Sequence, residues 1–177
     1  MEVIKKESEV SLKYHMFKRL NTGGELLSAQ EIRNCTVRLL DEKAIQFIEE
    51  CSKNADFRKT ISRVGTEKIN TKYDQELILR FFAIKNYIEG YKYPVTEYLT
   101  NYLENISRGD INFDYDREKS IFEKTFRFIR ENWGKDAFSG RTNNKSVRNE
   151  FIGYYFDGIT VALARNIGKI EKCSDKE

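Results

Sequence analysis

Phe17-Lys-Arg-Leu-Asn-Thr-Gly-Gly-Glu-Leu-Leu-Ser-Ala-Gln-Glu-Ile-Arg-Asn34 holds a helix end, a glycine-bearing polar loop and the start of a second helix in one short stretch. Asn21-Thr22-Gly23-Gly24 stops the first helix, because asparagine and glycine tolerate the left-handed backbone that helix ends need. Ser28-Ala-Gln-Glu31 then reads as a capping box. The Ser28 hydroxyl takes a free amide of the first turn, and Glu31 reaches back to the Ser28 amide. Leu27, just before the cap, is placed to staple onto Ile32. Helix punctuation this dense sets the expectation for the whole chain: an all-α fold.

Working outward, Val10, Leu12, Met16, Phe17 and Leu20 recur at roughly helical spacing between Glu9 and Leu20. After the cap, Ile32, Cys35 and Leu39 turn inward, and Ala44, Phe47, Ile48 and Cys51 line a helix that begins after Asp41. Phe57, Ile61 and Val64 suggest one short helix ending at Gly65. A long helix is expected from about Tyr73 to Gly90, its core face Leu77, Phe81, Ile84 and Ile88, widened by Ile78 and Phe82. Pro94 suits the opening of the next helix, which carries Val95, Leu99, Leu103 and Ile106. Asp114 or Asp116 caps a helix burying Phe122, Phe126, Ile129 and Trp133, closed by Gly134. A polar loop then leads to a last helix, about Lys145 to Asn166, with Ile152, Phe156, Ile159 and Leu163. The pattern gives a compact multi-helix domain of about seven helices over residues 9–166. A flexible N-terminus (1–8) and a flexible charged tail (167–177) flank it.

Composition narrows the chemistry. At 177 residues, 40% hydrophobic and 33% charged, the chain is long enough for one real core and carries a highly charged surface. Three cysteines, widely spaced and without a C-x-x-C pair, fit reduced thiols in a cytoplasmic protein and give no structural zinc motif. The single histidine, His15, excludes H-E-x-x-H and paired-histidine centres within this chain, so no metal site is expected. No apolar run approaches a membrane span.

Two kinds of site can be read from the residues. Gly23 and Gly24 let the backbone approach a ligand, and free amides of the following helix can face a phosphate. Glu25 opposes an anion there, and no Walker lysine follows. The same residues also serve as a plain helix–loop–helix connection. Two basic stretches can neutralise nucleic-acid phosphates: Arg58, Lys59 and Arg63, and Arg141, Lys145 and Arg148. At a net charge of +3 they can equally be an ordinary solvated surface. Glu76 and Arg80, four apart, are spaced to pair on one helix.

The stretch from Phe17 to Asn34 closely resembles a signature of the GmrSD-type restriction endonuclease N-terminal domain family, related to ParB-like nucleases. Asp74-Gln-Glu-Leu-Ile-Leu-Arg-Phe-Phe-Ala83 resembles that family's E-L-V-L-R-F helix. Arg141 through Ala164 resembles its last helix, entered through an Arg/Asn-rich loop. The resemblance covers about residues 9 to 166. It implies the helical half of a DNA-targeting defence protein, with Asn21, Thr22, Gly23 and Gly24 at a nucleotide or phosphate site and Glu31 and Arg33 matching family positions beside it. Family members carry an earlier ParB-like half with a D-G-Q-Q-R motif, which this chain lacks, and many carry an HNH nuclease domain. The resemblance thus implies a partner bearing the D-G-Q-Q-R half, a nucleoside triphosphate with Mg only in the complete complex, and no catalytic residue or cofactor in this chain alone. ParB proteins have an acidic residue before the asparagine, and here it is Leu20. A non-enzymatic helical module that binds protein or DNA stays open as a second reading, as does self-association through exposed apolar surface.

Overall fold

The computed structural model describes residues 26–38 and 40–174. They form eight α-helices: α1 (Ala29–Val37), α2 (Glu42–Ser52), α3 (Ala55–Thr60), α4 (Thr66–Asn70), α5 (Tyr73–Asn86), α6 (Val95–Arg108), α7 (Tyr115–Asn132) and α8 (Gly153–Ser174). Short 3-10 turns at Ile88–Gly90 and Gly134–Asp136 follow α5 and α7. The described residues contain no strand, only a single antiparallel bridge between Arg141 and Val147. The fold is all-α, as the periodicity predicts. The helix expected at Glu9–Leu20 lies outside the described residues.

The centre is α5. Leu77, Ile78, Leu79, Phe81, Phe82 and Ala83 are all buried, so this helix is apolar around most of its circumference rather than along one stripe. Such a helix must be surrounded. It packs against α1, α2, α4, α6 and α8. The one-sided face read from the sequence was therefore too narrow, and Ile88, counted on it, lies in the 3-10 turn and is 46% exposed. Phenylalanines fill the space between layers. Phe122 and Phe126 of α7 lie 4.6 Å apart, Phe57 of α3 meets Phe126 at 5.1 Å, and Phe81 touches both α7 rings at 5.7 Å. Most of these contacts are edge-on or tilted, the arrangement that aromatic quadrupoles favour.

Caps fix the helix boundaries. Asp41, Asn54 and Asp114 accept amides of the first turns of α2, α3 and α7 at 2.9, 2.9 and 3.1 Å. Gly109, at φ +79°, closes α6 with the paired bonds Asp110 N to Asn105 O and Gly109 N to Ile106 O, a Schellman ending that needs a residue without a Cβ. Tyr98 and Tyr102 of α6 are buried with polar tips satisfied. The Tyr98 hydroxyl donates to the Tyr87 carbonyl at 3.0 Å, and the Tyr102 hydroxyl accepts from Asn86.

Three expectations change. Residues 53–72 form two short helices, α3 and α4: the first ends at Thr60, capped by Ile61, and Gly65, expected to end a helix, is the N-cap of the second. Trp133 falls beyond the last turn of α7 and is 45% exposed. The last helix begins at Gly153 and continues through Ser174, eight residues later at each end than the sequence suggests. Residues 141–148 instead fold back on themselves: Thr142 N donates to Ser146 O, Arg148 N donates to Gly140 O, and Lys145 sits at φ +62°.

Truncating Phe126 to alanine removes a wholly buried ring at the α3–α5–α7 junction. It should cost about 3–5 kcal/mol in urea unfolding. A loss below about 1 kcal/mol would show that the junction is not packed as described. Burial, helped by Glu50, pushes the Cys51 thiol up to about 12, whereas Cys35 is exposed. Iodoacetamide at about pH 8 should therefore label Cys35 and spare Cys51 in the folded protein, since only the thiolate reacts; peptide mass mapping reads the result.

Candidate functional site

Helix α1 is locked onto the body by polar contacts. The capping box is present: Glu31 N donates to Ser28 Oγ at 3.2 Å, and Ser28 N donates to the Glu31 carboxylate at 2.8 Å. The Ser28 hydroxyl donates to Thr71 O at 2.6 Å, which joins the start of α1 to the residues just before α5. Leu27 is 42% exposed.

Deeper along α1, Arg33 is fully buried. Its Nε donates to Thr100 Oγ1 at 3.2 Å, and Nη1 donates to Gln30 Oε1 at 2.5 Å and to Glu76 Oε2 at 3.2 Å. Thr100 can accept because its own proton goes to Thr96 O. Gln30 Nε2 donates to Asn34 Oδ1 at 2.9 Å, and Asn34 Nδ2 donates to Gln75 Oε1 at 2.6 Å. Gln30 and Asn34 each use their oxygen toward one neighbour and their nitrogen toward the next, which fixes the orientation of both. In a low-dielectric setting such a string holds only in one register.

A second tie joins α5 to α8. Arg80 Nε donates to Asp157 Oδ1 at 3.0 Å, and its Nη2 pairs with Asp157 Oδ2, the two-point geometry a guanidinium favours. Burial holds the Tyr73 phenol above its ordinary value, with Arg80 acting the other way. The Tyr73 ring lies edge-on to Phe151 at 6.3 Å, beneath the Lys68 ammonium. Next to it, a cleft of about 480 Å³ is lined by residues 63–68 and Phe151.

These contacts revise several sequence-based assignments. Asn21, Thr22, Gly23 and Gly24 lie outside the described residues. Glu31 is a capping residue. Arg33 is an interior anchor, and with no exposed surface it is not placed to touch a ligand. Glu76 and Arg80 do not pair with each other as their spacing suggests; Glu76 goes to α1 and Arg80 to α8, because each faces an opposite charge across a helix contact. Of the residues expected on a nucleic-acid face, Arg58 is engaged by Asp74 at 2.8 Å, and Arg63 by Asp136, Asn149 and the Lys135 carbonyl. Lys59, Arg141, Lys145 and Arg148 are exposed.

Gln30, Asn34, Gln75 and Asp157 were not singled out beforehand. Asp157 had a signal: it is the one charge between Phe151 and Ala164, and a lone carboxylate in an apolar helix needs a partner. Among the described residues no group of His, Cys, Asp and Glu side chains is placed to hold a metal ion, and no helix is long and apolar enough to cross a membrane. The chain matches no protein-family model, no curated protein and no solved structure.

Removing Glu76 takes a carboxylate away from the buried Arg33 guanidinium. Glu76→Ala should cost about 3 kcal/mol, the low end of the range for a broken buried pair, since Glu76 keeps 21% side-chain exposure. Adding Arg33→Met should recover part of that loss. Equal stability of wild type and Glu76→Ala in urea titration would contradict the anchoring role.

Proposed function

We propose that the chain is the helical half of a GmrSD-like, ParB-related DNA-targeting defence protein. In this role it presents the Asn21–Gly24 loop to a nucleoside triphosphate site that a partner carrying the D-G-Q-Q-R half completes. The observation that supports this reading is a convergence in space. The three stretches that resemble the family are separate in sequence, yet they meet on α5: Asn34 bonds Gln75, Arg33 pairs with Glu76, and Arg80 pairs with Asp157. Residues at the first, second and third stretches therefore hold one another rather than serving separate parts of the fold.

The division of labour follows from the geometry. Glu31 and Arg33 fix the helix that continues from the loop, and the loop itself would supply the asparagine amide, the threonine hydroxyl and the glycine amides to phosphate oxygens. A helix start held by a fixed frame aims its free amides at one point, which favours an anion there. Hydrolysis would need the partner's residues, and Mg with the triphosphate would enter only in that complex. Alone, the chain is expected to be catalytically silent.

The test is co-expression with the product of the adjacent upstream gene, which the proposal expects to carry the D-G-Q-Q-R motif. A stable complex that hydrolyses ATP or GTP is expected, and Asn21→Ala should lower turnover at least about tenfold, the effect of losing roughly 1.4 kcal/mol in the transition state, while the complex stays intact. Failure of the two proteins to associate, or turnover unchanged by Asn21→Ala, would overturn the proposal.

A further inference from the structure

Several cations of this domain are neutralised where they stand. Arg38 pairs with Glu49, Arg58 with Asp74, Lys85 with Glu118, Lys124 with Glu171, and Arg130 with Asp56. The turn from Gly140 to Asn149 instead gathers cations without acids. Its sequence, GRTNNKSVRN, has three cations and no acid. Among the described residues neither Arg141 nor Lys145 has a carboxylate within ion-pair distance, and Arg148 has only Glu150, at 3.7 Å with both side chains half exposed. All three cations are exposed.

The turn is also built. Arg141 and Val147 form a bridge, the Thr142 hydroxyl bonds Ser146, and Lys145 takes the left-handed conformation at the tip. At its base Arg148 N donates to Gly140 O, and Ile152 N donates to Phe138 O at 2.8 Å. Arg63 bonds both Asn149 and Asp136, so it clamps the hairpin to the corner between α3 and α4. A charged loop held in one shape spends little conformational entropy on binding.

We infer that the 140–149 hairpin is a contact element for duplex DNA, with Arg141, Lys145 and Arg148 on the phosphate backbone and Arg63 as a positioning residue at its base. The hairpin contains no aromatic side chain, so it lacks the stacking platform on which single strands are bound. Its short polar residues, Thr142, Asn143, Asn144 and Ser146, suit hydrogen bonds to phosphate and sugar, which position a protein without reading sequence. The inference is independent of the nucleotide loop, and Asn21→Ala should leave it unaffected.

Fluorescence anisotropy with a labelled duplex of roughly 20 base pairs and arbitrary sequence, across about 50–200 mM KCl, provides the test. The wild-type chain should bind with a steep salt dependence. Arg141→Ala, Lys145→Ala and Arg148→Ala together should weaken binding at least about tenfold at the lowest salt, and should flatten the log–log slope by about 2–3, since each lost phosphate contact removes about 0.9. A control with Lys92→Ala, Arg117→Ala and Lys169→Ala has the same net charge and should bind as wild type. Arg141→Gln with Arg148→Gln, which removes the charge but keeps a polar side chain, should flatten the slope by about 2 while circular-dichroism melting stays unchanged. No duplex binding by wild type, equal loss in the hairpin and control triples, or tighter binding of a single strand of the same sequence would overturn the inference.

Discussion

A guanidinium taken wholly out of water constrains the rest of this molecule. Desolvating Arg33 costs several kcal/mol unless its donors find partners. The partners come from three helices at once: Gln30 on its own, Glu76 on α5 and Thr100 on α6. Hydrophobic burial alone would let α1 slide or rotate over α5 and α6, because apolar contact has no direction. The guanidinium has direction, and the amide string through Asn34 to Gln75 extends it along the helix. The position of α1 is thereby set by a few polar bonds.

The apolar frame around this anchor explains why it can be buried at all. With six of its seven residues from Leu77 to Ala83 in the core, α5 is enclosed by helices on most sides. Arg80 is the exception in that run, and it turns to the Asp157 carboxylate on α8. Glu76, one turn earlier, turns to α1. The one polar edge of the central helix is thus divided between two neighbours, so three segments far apart in sequence are tied at a single seam. The basic hairpin leads into α8, clamped by Arg63.

The sequence made the helix class legible because the punctuation was chemical as well as periodic. Ser28 with Glu31 announced a boundary that the structure places where expected, and of the two candidate caps Asp114 and Asp116 it is Asp114 that caps α7. The start of α8 was missed because Lys145 to Ile152 has no strong breaker, and only the bridge and turn bonds of the hairpin exclude a helix there. Partner choice was the least legible feature. Glu76 and Arg80 are ideally spaced to pair with each other, and only the packing of α1 and α8 against α5 shows that each has a better partner elsewhere. Likewise Arg58, Lys59 and Arg63 read as one basic stretch, yet two of the three are bonded within the domain and Lys59 alone is left for solvent. Composition cannot distinguish a cation with a neighbour from one without.

The central claim is that α1 is fixed to α5 as firmly as α5 is fixed in the core. Native-state hydrogen exchange of the Asn34–Val37 amides, compared with those of Leu79–Phe82, measures this directly. If the Arg33 web holds, the α1 amides should open only with the whole domain, with protection equal to that of α5 and the same dependence on added denaturant. Exchange of the α1 amides through a local opening several kcal/mol below the global value, independent of denaturant, would contradict the account.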